Sequence, residues 1–396
     1  MADPLVIIGA GQAASQLVAS LAQDGFAGEV CLVGDEPHLP YQRPPLSKKF
    51  LAGELALDRL YVKPAAFYEK AGSRLLLGRR AERIDRAGRA VLLADGSRLP
   101  YSTLVLATGS RPRELPLPGA FYLRNIADVD AIRPRLAPGK LLVVIGGGYI
   151  GLELAAVAMK LGVGVTVLEQ APRLMARGVG PVVSHFYARL HGEEGVAIHT
   201  GAVVRGLEGK RVVCEHARYD ADIVVVGAGA VPNVELAREA GLAVEDGIVV
   251  DAECRTDDPS IYAIGDCTSQ HHDLVGRRLR LESVHNALEQ ARIAAAAICE
   301  RKPPAIQVPW FWTDQFDVKM QMAGLSAGHD QAVVRGDAER GRSFAVFYLR
   351  EGTLIAVDAV NRAPEFMMSK QLIAERAKID PARLGDEGVA MKDMRN

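Results

Sequence analysis

The stretch VVIGGGYIGLELA, residues 143–155, places Gly146, Gly147, Gly148 and Gly151 within six positions. Glycine weakens helices and strands alike. The cluster therefore marks backbone that must come close to something. An apolar run, a glycine turn and an apolar-periodic segment follow one another, which is the order of a βαβ unit. Residues 146–151 fit GxGxxG. Gly146 permits a tight turn, Gly148 lets a pyrophosphate approach the backbone, and Gly151 keeps strand and helix in contact. A helix beginning there offers free N–H groups and partial positive charge to phosphates.

The pattern occurs twice. Residues 4–36, PLVIIGAGQAASQLVASLAQDGFAGEVCLVGDE, repeat the order, and Gly9, Gly11 and the small pair Ala13 and Ala14 fit GxGxxA. Gly25 and Gly162 stand where a helix C-terminal glycine belongs. Each unit carries an acid near the end of its second strand, Asp35 in the first and Glu169 in the second. Such a carboxylate accepts adenosine ribose hydroxyls. Two well-separated copies predict two dinucleotide-binding domains. Glu169 repels a 2′-phosphate and favours NADH over NADPH, while Arg173 and Arg177 moderate that preference.

Composition sets the frame. The chain has 396 residues, 49% hydrophobic and 24% charged, enough for two or three domains. A formal net charge of -1 gives no global reason to expect a nucleic-acid partner. Cys31, Cys214, Cys254, Cys267 and Cys299 form no CxxC pair, so neither a redox dithiol nor a zinc knuckle is expected. No basic region precedes the first apolar run, and no signal peptide or membrane span is expected. The setting read from this is reducing and cytoplasmic. His271 and His272 read as part of a solvated polar loop, without metal.

Short strands are expected at 74–78, 90–96, 103–109 and 260–266, and a long helix at 284–300. A linker is expected at 302–309, and a small mixed terminal domain beyond it. In SIYAIGDC, Asp266 ends an apolar strand. Alone it reads as a turn aspartate. Period two puts Trp310 and Trp312 on one face of a strand.

Together these motifs resemble the two-dinucleotide flavoprotein reductases of glutathione-reductase-like fold. The resemblance is closest to the NADH-dependent ferredoxin reductases of bacterial aromatic-ring dioxygenase and cytochrome P450 systems. It rests on VGDEPHLPYQRPPLSK (33–48), LVLATGSRPR (104–113), LLVVIGGGYIGLELAA (141–156), YAIGDC (262–267), RLESVHNALEQA (280–291) and PWFWTDQFDVKMQMAG (309–324). It implies an α/β fold with two Rossmann-like domains and a small α+β C-terminal domain. Residues 1–111 and 232–306 would form a discontinuous FAD domain, 112–231 an NAD domain, and 307–396 the terminal domain.

By that resemblance Gly9, Gly11, Ala13, Ala14, Asp35, Arg43, Lys48, Ala81, Thr108, Gly109, Arg124, Asp266 and Val284 are FAD contacts. Gly146, Gly147, Gly148, Ile150, Gly151, Glu169 and Gly227 line NAD. Without it, Arg43, Lys48 and Arg124 read as surface cations. Glu153, placed in the first turn of the second glycine-turn helix, reads alone as a complement to the helix dipole. The resemblance instead pairs it with Lys48 as the catalytic couple that orients the nicotinamide. The helix starting at Val284, capped by Ser283, would point its N–H groups at the flavin pyrimidine.

The implied activity passes electrons from NADH through FAD to a [2Fe–2S] ferredoxin, which serves a P450 or dioxygenase. With no thiol to receive them, electrons leave from the flavin edge. An NADH oxidase or peroxidase would want a redox cysteine where this chain has Ser47. A redox-controlled binding flavoprotein resembling apoptosis-inducing factor would carry targeting or strongly basic segments, and none is seen.

Overall fold

The computed structural model describes residues 3–394. The chain divides into two compact units. The first comprises residues 1–42, 57–111 and 231–307, and the second residues 43–56, 112–230 and 308–396. Among the described residues, the helices of eight residues or more are α1 (Gln12–Asp24), α2 (Tyr149–Lys160), α3 (Pro181–Glu193), α4 (Val284–Ile298) and α5 (Ala363–Ala374).

In the first unit a five-stranded sheet runs in the order Ile261–Ala263, Thr103–Leu106, Leu5–Ile8, Val30–Gly34, Ser73–Leu77. Every pairing is parallel. A parallel strand is covered on both faces, so it reads as an unbroken apolar run. LVII at 5–8 and VCLVG at 30–34 are buried throughout. Leu17, Val18 and Leu21 of α1 share one core with Ala291, Ile293, Ala294 and Ala295 of α4, whose small side chains let the helices approach closely. Gly25, at φ +79°, ends α1 in the left-handed conformation, and the N–H of Phe26 closes onto Leu21 O at 2.9 Å.

The second unit holds another parallel sheet, in the order Ala197–Thr200, Gly164–Glu169, Leu141–Ile145, Ile223–Val226, Phe121–Tyr122. Gly162 lies just past α2 at φ +76°, and the N–H of Val163 bonds Ala158 O at 3.1 Å. The same unit contains an antiparallel sheet ordered Trp310–Gln315, Val318–Gly324, Thr353–Val360, Phe344–Arg350, Gln331–Gly336. Helix α5 packs on it.

Two local readings need correction. Residues Thr268–His272 form a strand, paired with Ile248–Val250 and Arg277–Leu279, so His271 and His272 are not in a loop. Their polarity concealed the alternation that buries His272 and exposes His271. Helix α2 begins at Tyr149, so Glu153 is its fifth residue and lies beyond the first turn. It is also buried.

Candidate functional site

In each parallel sheet the glycine turn leaves the C-terminal end of the strand from which neighbouring strands run to either side. That is the switch point at which open α/β sheets bind ligands. At the first turn, Gly9 has φ +106°, and a Cβ there would lie 2.1 Å from the carbonyl oxygen of Ala107. Gly146 repeats this at φ +113°, with 2.4 Å to Gly227 O. Only glycine fits either position. Gly11 and Gly148 are different: each caps a helix, and an added Cβ would meet no protein atom within 4 Å. A side chain at these two points would instead fill the cradle that a pyrophosphate would use.

The helices above these turns have no side-chain cap, and neither has an acid in its first turn. Helix α4, by contrast, is capped by Ser283, whose Oγ accepts the N–H of Asn286 at 3.0 Å. The uncapped ends of α1 and α2 keep N–H groups for an anion. Gly151 allows the close contact that the motif requires, since a Cβ there would stand 2.3 Å from Gly146 O. In the first unit Ala14 holds the matching third position of the motif, and Ala13 beside it faces the left-handed Gly265 of the Asp266 turn. Ala14 is buried in the same core. These features fit a dinucleotide at each turn.

The acids differ. Glu169 Oε2 accepts the N–H of Gly147 and Oε1 that of Ala171, both at 2.7 Å. This fixes the carboxylate across the turn with lone pairs remaining for ribose hydroxyls. Arg173 turns inward, donating to Val179 O, Ala176 O and Ser184 Oγ. Arg177 lies beside Gly229. Arg173, committed to those three oxygens, adds nothing that would favour a 2′-phosphate. In the first unit, register places Gly34 where Glu169 stands in the second, and Asp35 follows it, exposed. A Cβ at Gly34 would meet that of Ala10 at 2.6 Å, which explains why the acid is displaced by one residue.

Thr108 and Gly109 are clasped by Asn233: Thr108 Oγ1 donates to Asn233 O at 2.7 Å, and Asn233 returns bonds to Thr108 O and Gly109 O. Ser110 Oγ donates to Asp266 Oδ2 at 3.1 Å. Gln290 Oε1 receives the N–H of Gly265 at 2.7 Å and the hydroxyl of Thr268 at 3.0 Å, holding the Asp266 turn from below. Val284 is the first residue of α4, and Ala81 opens the strand Ala81–Asp85.

Arg43, Lys48 and Arg124 fall in the second unit. Arg43 donates to Arg124 O at 2.8 Å. Lys48 Nζ lies 2.7 Å from Glu153 Oε1, and the Ser47 hydroxyl donates to Oε2 at 2.5 Å. Glu153 is 4% exposed. Gly227 contacts the Gly146 turn, and Ile150, 43% exposed on the first turn of α2, offers an apolar surface beside the cradle. Trp310 and Trp312 do share a face, with ring centroids 5.5 Å apart. The opposite face presents Thr313, which donates to Glu153 Oε1 at 2.6 Å.

Sequence reasoning missed Asn233, Gln290 and Thr313 as neighbours of the expected site residues, and it placed Ser47 there without its bond to Glu153. Gln290 and Asn286 are one helical turn apart, and Thr313 alternates with the tryptophans, so the spacing carried a signal for both. Nothing local marked Asn233.

Residues 3–291 match the family described as Pyridine nucleotide-disulphide oxidoreductase, and residues 310–395 match the Reductase C-terminal family. The chain belongs to the pyridine nucleotide-disulphide oxidoreductase family. Among its relatives is putidaredoxin reductase CamA of Pseudomonas putida, 44% identical over 99% of this chain and 96% of that one. The anthranilate 1,2-dioxygenase system ferredoxin–NAD(+) reductase component of Burkholderia cepacia is 42% identical, over 99% of each. The crystal structure of a covalent putidaredoxin reductase–putidaredoxin complex superposes with a TM-score of 0.97 at 44% identity, covering 99% of this chain and 98% of that one.

Within the pyridine nucleotide-disulphide oxidoreductase family this chain lacks the disulphide. All five cysteines are free, and all but Cys299 are buried. Burial raises every one of the thiols above its ordinary pKa. A raised pKa removes the thiolate that exchange chemistry needs.

Proposed function

We propose that the protein is an FAD-dependent NADH:ferredoxin reductase, delivering electrons to a [2Fe–2S] ferredoxin that serves a cytochrome P450 or ring-hydroxylating oxygenase. The likeness to ferredoxin reductases over essentially the whole chain carries this reading, and two glycine cradles without a reactive thiol suit it. Bound FAD would supply the two-electron to one-electron conversion between hydride donor and iron–sulfur acceptor.

The chain's own part is binding and orientation. Gly9, Gly11, Ala13 and the α1 N–H groups would hold the FAD pyrophosphate, with Asp35 on its adenosine ribose and Asp266 on its ribityl chain. Arg43, Ala81, Thr108, Gly109, Arg124 and Val284 would complete that set. Gly146, Gly147, Gly148, Ile150, Gly151 and Gly227 would receive NADH, with Glu169 on the ribose. Lys48 and Glu153 would orient the nicotinamide. Residues 1–111 and 232–306 would act as the FAD domain, 112–231 as the NAD domain and 307–396 as the terminal domain. We also propose a cytoplasmic setting, where five free thiols stay reduced.

An oxidase or peroxidase reading has less support, because Ser47 spends its hydroxyl on Glu153. Cytochrome c reduction by NADH tests the choice. The reductase reading expects a fast rate only when a [2Fe–2S] ferredoxin is added. A rate indifferent to ferredoxin, with rapid oxygen consumption instead, would favour the oxidase.

A further inference from the structure

Glu153 stands at the end of a hydrogen-bonded chain that leaves the glycine-turn helix and crosses the second unit. Thr313 Oγ1 donates to Glu153 Oε1 at 2.6 Å. Gln315 Nε2 donates to Thr313 Oγ1 at 3.1 Å. His191 Nε2 lies 2.8 Å from Gln315 Oε1. With the Gln315 amide nitrogen turned to Thr313, its oxygen faces His191, so the imidazole carries its proton on Nε2. Every bond in the chain therefore points the same way, toward the glutamate. Thr313, Gln315 and His191 are each 1% exposed or less.

The rest of the Glu153 surroundings agree. Lys48 and Ser47 also donate to it, so all three side chains that reach the carboxylate are donors. Such a set holds a buried carboxylate in one rotamer, and the one other acceptor that Lys48 and Ser47 share, Pro44 O, is farther from each, at 3.4 Å. The spacing is built into one strand. Phe311, Thr313 and Gln315 alternate with Trp310, Trp312 and Asp314, and Phe311 packs on Tyr149 of α2 at a centroid distance of 4.9 Å. The strand thus fixes the start of α2 by an aromatic contact and its fifth residue by a hydroxyl. A structural strand would need neither polar side chain at these buried points. Buried hydroxyls and amides are costly unless they are bonded.

We infer that Thr313 and Gln315 are positioning residues for hydride transfer, holding Glu153 against Lys48 so that the pair presents one fixed geometry to the nicotinamide. The inference rests on the reductase reading above. Gln315 acts through Thr313: its amide occupies one lone pair of the hydroxyl and directs the proton to Glu153. His191 fixes the amide.

Stopped-flow reduction of the bound flavin by NADH, in the holoprotein, is the test. Thr313→Val removes the hydroxyl at nearly constant shape. Its limiting reduction rate should fall about tenfold, while the NADH dissociation constant changes less than about twofold, since misplacement affects the reacting geometry more than binding. Thr313→Ser restores the hydroxyl and should recover most of the rate. Gln315→Met should slow reduction by a smaller factor. In a Glu153→Gln background, Thr313→Val should add less than about twofold, because residues acting through one another are not additive. A rate loss of the same factor in both backgrounds, or a Thr313→Val protein as fast as wild type, overturns the proposal. If Thr313→Val does not fold, a Gln315→Met protein reduced at the wild-type rate overturns it alone. A wild-type protein that NADH cannot bleach refutes the reductase reading, and the positioning role with it.

Discussion

Asp358 offers a stability prediction whose size follows from the structure. It lies on the strand Thr353–Val360, 4% exposed, and accepts the Tyr348 hydroxyl at 2.7 Å. The N–H of Gly180, the residue before α3, also reaches Tyr348 Oη, at 3.2 Å. Burial dominates and pushes the carboxyl up to about 7 from an ordinary 3.8, while the bonds from Tyr348 and Gly180 pull the other way. Between these values the folded protein keeps a proton that the unfolded chain has lost. Stability from this group is therefore fully present below pH 3.8 and is lost as pH rises through 7. About three units at 1.36 kcal/mol each give a total on the order of 4 kcal/mol, of which about 3 kcal/mol falls between pH 5 and 7.

Asp358→Asn removes the titration. Thermal unfolding of wild type and variant, followed by far-ultraviolet circular dichroism at pH 5 and pH 7, isolates it. His191 works in the opposite sense, because burial lowers it to about 4 from 6.5, so its contribution is lost as pH falls. That slope is common to both proteins and cancels in the difference. The Tm of wild type minus that of the variant should drop by roughly 3–4 °C from pH 5 to pH 7, at about 1.2 °C per kcal/mol for an unfolding entropy of about 2.1 cal/mol/K per residue. Parallel pH profiles would show that Asp358 is not protonated in the folded state and would refute the reasoning.

The two kinds of glycine should separate in mutants. Gly9→Ala faces a carbonyl at 2.1 Å in a left-handed backbone and should lower apoprotein stability and flavin content together. Gly11→Ala meets no protein atom within 4 Å and should lower flavin content while the apoprotein melts as wild type does. Glu169→Ser should raise kcat/KM for NADPH relative to NADH by about tenfold, near 1.4 kcal/mol, because the repelling carboxylate is gone. Arg335 is buried, pairs with Glu365 and donates to the carbonyls of Leu384, Asp386, Glu387 and Val389. Arg335→Met should cost about 3 kcal/mol, and limited proteolysis should then cut within 384–394 before the rest of the chain.

The nucleotide cradles were legible in the sequence because backbone clearance is written as glycine. Gly9, Gly146 and Gly151 each fill a position where a Cβ would strike a carbonyl oxygen. The parallel strands were legible as unbroken apolar runs. The support of the site was less legible, because it depends on contacts between distant segments. Asn233 clasps Thr108 across 125 residues, and Thr313 reaches Glu153 across 160. Apart from the resemblance, which pairs it with Lys48, Glu153 reads only as a complement to the helix dipole, because the sequence alone cannot show the strand that buries it. His272 read as part of a loop because its four polar strand neighbours, Thr268 to His271, hid a strand whose partners lie at Ile248–Val250 and Arg277–Leu279.

The most direct test of the account is anaerobic mixing of the purified, yellow holoprotein with NADH, followed by mixing with oxidised [2Fe–2S] ferredoxin. The account predicts that NADH bleaches the flavin band within the turnover time and that each reduced protein then reduces two ferredoxins. A colourless chain that takes up no FAD, or a flavin that NADH leaves oxidised, would contradict it.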